Sequence, residues 1–87
     1  MFVIAVYDVE AKRCAKMLKL FRQYLVWVQN SVFEGELTES QYKALQQRAL
    51  KFMDPLTDSV VFYQLGHEKY VRRHALGIEK EEHSRFI

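Results

Sequence analysis

The chain opens on an unbroken apolar run, FVIAVY at residues 2–7. A β-favouring run without polar alternation suits a central strand covered on both faces. Asp8 ends the run abruptly and places a carboxylate at an element boundary. The period then changes. Cys14, Met17, Leu18, Phe21 and Leu25 recur at spacings of three and four, which predicts a helix over residues 11–24 with one apolar stripe. Cys14 falls in that stripe and reads as buried packing. Lys12, Lys16 and Lys19 gather on the opposite face, with Arg13 and Arg22 at its margins.

Residues 25–36 are strand material interrupted at Gln29-Asn30-Ser31, and they predict two strands joined by a tight turn or bulge. One long kinked strand is the alternative. Gly35 allows the chain to bend before the next element. Thr38-Glu39-Ser40-Gln41 has capping-box spacing, with the threonine oxygen accepting from the third helical amide and the glutamine reaching back. The helix it starts runs to about Phe52, with Tyr42, Leu45, Ala49 and Phe52 inward. Asp54-Pro55 stops it, since proline disfavours helix at the residue before it. Residues 59–65, rich in Val, Phe and Tyr, form a strand. Residues 70–76 form a short extra strand or an irregular arm.

The order is strand, helix, strand, strand, helix, strand and a tail. It predicts an α+β fold, a ferredoxin-like βαββαβ sandwich with two helices on one face of an antiparallel sheet. Residues 1–87 form one domain, with a core of 1–65 and a tail of 66–87. The other sheet face carries apolar side chains and needs a cover, which a second copy would supply.

Composition sharpens that expectation. The 87 residues are 49% hydrophobic and 14% aromatic, while a domain of this size hides only about 60% of its unfolded surface. The surplus points to a homodimer, with idle surface aromatics as the plainer alternative. Formal net charge is only +2, but Lys12, Arg13, Lys16, Lys19 and Arg22 occupy residues 11–24 without one acid. A local basic face matters more for phosphate binding than the total. The tail holds Glu79, Glu81 and Glu82 around Lys80. A single cysteine excludes an internal disulfide and any multi-cysteine zinc site, and it fits a reducing cytosol. The first apolar run is too short for a signal sequence, and no stretch approaches the roughly 20 residues of a membrane span. A soluble, cytoplasmic protein is expected.

Three stretches together carry a likeness: VIAVYDV at 3–9, VQNSVFEGELT at 28–38 and DSVVFYQL at 58–65. The pattern resembles the CRISPR-associated protein two family, the small partner of the CRISPR integrase. SVFEGEL at that distance from YD is its most specific element; the tail matches loosely. The resemblance implies a ferredoxin-like fold and a tight homodimer formed by the sheet faces. It implies that Asp8 meets its twin across the dimer axis and holds a shared divalent metal, usually Mg2+. Tyr7, Arg13, Ser31 and Phe33 fall on positions that the family treats as lining the same region. Members are described as metal-dependent endonucleases on single-stranded RNA or duplex DNA. In spacer acquisition the dimer is the scaffold between integrase dimers, with the protospacer duplex across it and the tails docking partners.

Each residue also has a plainer reading. Asp8 also reads as a cap for the next loop, and one carboxylate per chain is thin for a nuclease; Glu10 is the nearest other acid. Lys12, Arg13, Lys16 and Lys19 are either phosphate contacts or a solvated helix face, although such faces usually mix signs. Lys69, Arg72 and Arg73 are a second basic cluster or a charged sheet edge. Ser31 also reads as a turn residue and Phe33 as core. Trp27 and Phe62 read as core or dimer face. His67, His74 and His83 are too scattered to hold a metal. Gly35, Gly66 and Gly77 stand apart, so no glycine-rich phosphate loop exists. Three functions stay open: a nucleic-acid scaffold in CRISPR adaptation that binds the integrase; a metal-dependent phosphodiesterase centred on Asp8, including a stand-alone toxin-type ribonuclease; and a small-ligand regulator of the same fold.

Overall fold

The opening apolar run becomes one of the two inner strands of the sheet. The computed structural model of the protein describes residues 1–67, 72 and 74–77. Its elements are β1 (Phe2–Asp8), α1 (Ala11–Arg22), β2 (Val26–Gln29), β3 (Val32–Glu36), α2 (Glu39–Phe52) and β4 (Ser59–Leu65). The strands lie in the order β2-β3-β1-β4 with every neighbouring pair antiparallel. Both helical crossovers return over the same face, giving the ferredoxin-like α+β arrangement that the element order predicts.

Strand alternation divides β1 between two environments. Val3, Ala5 and Tyr7 join Met17, Leu20, Phe21, Phe33, Leu45 and Ala49 in the core beneath the helices. Phe21 is fully buried and lies 5.3 Å from the Tyr7 ring centroid and 5.4 Å from that of Phe33. Burying one such side chain contributes about 1.5–3 kcal/mol. Ile4, Val6 and Asp8 point the other way, and neither helix covers them. In the registers flanking β1, Val6 is opposite Val32 on one side and Val61 on the other, while Ile4 is opposite Tyr63. Val61 and Tyr63 are 45% and 57% exposed, so the open face offers an apolar patch to solvent.

The residues 25–36 form a hairpin rather than one kinked strand. Asn30 takes the left-handed conformation at φ 46°, which asparagine tolerates better than most residues, and β2 carries a bulge between Trp27 and Gln29. The Trp27 indole N–H donates to the Asn30 carbonyl at 2.8 Å, tying the turn to the strand. The capping box is present in full: the Gln41 amide donates to Thr38 Oγ1 at 3.1 Å and the Thr38 amide donates to Gln41 Oε1 at 2.9 Å.

Three expectations are corrected. Cys14 is exposed, not buried. The inward stripe of α1 is Met17, Leu20 and Phe21, with Arg13 taking the first-turn position one helical turn before Met17. Phe52 is 36% exposed: it is the last residue of α2 and its ring lies under Lys16 Nζ, 5.6 Å away, instead of in the core. Gly35 is not a bend; it lies inside β3, where a Cβ would come 3.2 Å from Leu25 Cδ2. Its use is close approach of the chain entering β2. The arm at 70–76 and the tail beyond Gly77, with Lys69, Arg73, His83 and the Glu79–Glu82 cluster, lie wholly or largely outside the described residues; Arg72 and His74 are exposed.

Candidate metal and nucleic-acid site

Asp8 is the last residue of β1, opposite Ser59 of β4, and is exposed at the end of the open face. Alternation places its carboxylate on the side of Ile4 and Val6. The β2–β3 turn reaches the same end of the sheet, where the Tyr7 amide donates to the Ser31 carbonyl at 3.1 Å. Asp8, Tyr7 and Ser31 are therefore neighbours along the backbone ladder. Their side chains do not converge. Tyr7 is 6% exposed and Phe33 fully buried, and both face the helices with ring centroids 6.0 Å apart. Burial, and secondarily the nearby Cys14, raises the Tyr7 hydroxyl pKa above its ordinary value of 10.0, so the phenol remains protonated.

Arg13 is committed to a carboxylate that the sequence analysis did not single out. Its Nε lies 2.5 Å from Asp58 Oδ2, and its Nη2 donates to Asp58 Oδ1 at 3.1 Å, to Glu10 Oε1 at 2.8 Å and to Thr57 Oγ1 at 3.2 Å. Asp58 is 6% exposed and also accepts from the backbone amides of Glu10 at 3.0 Å and Asp54 at 2.9 Å. Arg13 and these amides hold the Asp58 carboxyl well below the usual carboxylate range. Glu10 is likewise lowered, by Arg13 and then Thr57. The network joins the loop after β1 to the loop before β4, the two chain segments that flank Asp8 and Ser59. No spacing rule could have paired positions 45 residues apart; the one available signal is an acid directly ahead of a β-rich run.

Lys12, Lys16 and Lys19 are exposed along α1, and its last turn adds Arg22. The described part of α1 carries no acid, while Arg13 turns inward from this row. Among the described residues, no group of three His, Cys, Asp or Glu side chains is placed to hold a metal ion. Asp8 alone fits magnesium only in part, since that ion is commonly bound through one or two carboxylates with several waters kept. A second Asp8 brought to the same point would complete that donor set. No helix among the described residues is long and apolar enough to cross a membrane.

A family model described as CRISPR associated protein Cas2 matches residues 1–73. The CRISPR-associated endoribonuclease Cas2 of Thermotoga maritima is 49% identical over 82 residues, covering 94% of this chain and 94% of that protein. The protein of the same name from Dictyoglomus turgidum is 42% identical over 87 residues, with 100% of both chains covered. Among solved structures, a crystal structure of Cas2 matches with a TM-score of 0.85 at 39% identity, covering 94% of this chain and 92% of that one. Streptococcus pyogenes Cas2, crystallised at pH 6.5, matches with a TM-score of 0.79 at 36% identity over 88% of this chain and all of its own.

Proposed function

Because the chain belongs to the Cas2 family of CRISPR-associated proteins, we propose that it is the dimeric scaffold of CRISPR adaptation. In this reading two copies close over their open sheet faces in the cytoplasm, bind protospacer duplex and dock the CRISPR integrase during spacer integration. The observation that carries it is the uncovered apolar face of Ile4, Val6, Val32, Val61 and Tyr63, with Asp8 at its end. Closure would remove that patch from water and bring two Asp8 carboxylates together. Lys12, Lys16 and Lys19, doubled by symmetry, supply phosphate contacts that position a duplex without reading its sequence. Arg13, through Asp58 and Glu10, ties the loop that follows Asp8 to the loop before β4; Tyr7 and Phe33 fix the strand end from the covered side, and Ser31 through its carbonyl.

The names of the relatives favour a second activity, ribonucleolytic cleavage; in this reading it is metal-dependent and extends to single-stranded RNA or duplex DNA. The Asp8 pair would hold Mg2+, which supplies an activated water and charge neutralisation at a phosphodiester. Asp8 is the residue on which this activity depends; the lysines hold the substrate.

A gel-shift series with short duplexes, with and without integrase, tests the scaffold reading. Binding should fall steeply as salt rises, since each neutralised phosphate releases counterions. Absent binding, or binding indifferent to salt, rejects it.

A further inference from the structure

A groove of about 290 Å³ runs between α1 and α2 on the surface turned away from the open sheet face. It is lined by Lys16, Lys19, Leu20, Gln23, Arg48 and Phe52. Three of the six are cations and none is an acid. Arg48 is held in place from both sides: its Nη1 donates to Gln23 Oε1 at 2.8 Å and to Tyr24 Oη at 3.1 Å, and its guanidinium lies 5.7 Å from the Tyr24 ring centroid. Those bonds use one nitrogen, and among the described residues no carboxylate pairs with it, so the positive charge is fixed in position by neutral partners. Lys16 Nζ stands 5.6 Å from the Phe52 ring centroid, so cation and aromatic surface adjoin at one end.

We propose that this groove binds one strand of single-stranded nucleic acid, with phosphate oxygens on Lys19 and Arg48 and a base against Phe52. The charge demands a polyanion, and the half-exposed Phe52 beside buried Leu20 demands an apolar partner next to it. A duplex offers phosphates on its outside and hides its base faces, so it uses only half of this lining. A single strand offers both, which is how cationic grooves with aromatic platforms hold unpaired strands. The proposal rests on the nucleic-acid reading above and adds a second contact surface, on the helical layer and not on the open sheet face that ends at Asp8, and Arg48, which lies outside the basic run of α1.

Fluorescence anisotropy of the full chain with labelled single-stranded RNA, single-stranded DNA and duplex of equal length tests it. Lys19→Glu and Arg48→Glu should each weaken single-strand binding about fivefold or more at low salt and flatten its salt slope by about 0.7. Phe52→Leu should weaken it with the salt slope unchanged. Lys43→Glu, an equal charge change elsewhere on α2, should stay within about twofold of wild type. Among the described residues Lys19 is exposed and makes no hydrogen bond or ion pair, so its variant keeps the test valid if Arg48→Glu unfolds. Equal losses for duplex and single strand in Arg48→Glu and Phe52→Leu, or unchanged single-strand binding in Lys19→Glu, overturn the groove while leaving the scaffold reading standing. A wild-type chain that binds no nucleic acid overturns both. The RNA and DNA arms decide which sugar the groove prefers.

Discussion

Arg13 of α1 forms a two-point ion pair with Asp58, 45 residues later, and the Asp58 carboxylate simultaneously caps the Glu10 and Asp54 amides. A buried acid with an arginine fork and two backbone donors is fully satisfied. Removing one partner leaves the others unpaired in a site that water reaches poorly. Asp58→Ala and Arg13→Ala should each lower Tm by roughly 10 °C or more. The double variant should cost clearly less than the two losses added, since the residues share one network. Thermal unfolding of the three variants measures the coupling, and simple additivity would refute it.

The same pair sets an acid limit. The folded Asp58 carboxyl titrates well below its ordinary value of 3.8. Between those two values the unfolded chain binds more protons than the folded one, so stability rises with pH across that window. The contribution is complete above the ordinary value and is lost as pH falls through the folded one. Denaturant titrations from pH 6 to pH 2 should show steep loss only below about pH 4. Asp58→Asn, already destabilised, should show a shallower slope there.

Much of the fold was legible in the residues. The apolar run, the change of period at residue 11 and the capping box are local signals, and each element they predict is present. Cys14 was misplaced because a wheel ranks residues by apolarity, whereas Arg13 had a buried carboxylate to meet and took the inward position. Asp58 itself was invisible for the same reason: its importance comes from a partner on another element. The position of Asp8 at the strand end was readable. That Tyr7 and Phe33 share the covered face, away from Asp8, follows from register, which sequence spacing does not supply across strands.

Association through the open face should be sensitive to charge at its exposed apolar positions on the edge strand β4. Val61→Glu puts an acid into a patch that a second copy must desolvate, while Val61 is already 45% exposed in one chain. The variant should remain folded by circular dichroism and shift from dimer to monomer in light scattering, with dissociation at least about tenfold easier. A variant as dimeric as wild type would place the interface elsewhere.

Cleavage, if measured with Mg2+, should depend on Asp8. Asp8→Ala should reduce the rate by roughly a hundredfold or more while the dimer mass is retained. Chelation by EDTA should have the same effect on wild type and no further effect on the variant. Full activity in Asp8→Ala would assign the cutting to another centre.

Thr38 offers a control independent of all function. Thr38→Ala removes the side-chain acceptor for the Gln41 amide and should cost about 1 kcal/mol in urea unfolding. Nucleic-acid binding should be untouched.

The alternation along β1 has an evolutionary meaning. Positions 3, 5 and 7 lie in the chain's own interior, while 4, 6 and 8 lie on the face that the helices leave open, which the proposed dimer would cover. A saturation scan of these six residues should beat in twos: abundance in cells tracks the odd positions, and teamwork with other molecules tracks the even ones. One short ribbon thus lets selection adjust company without disturbing solidity, because neighbouring codons report to different constraints.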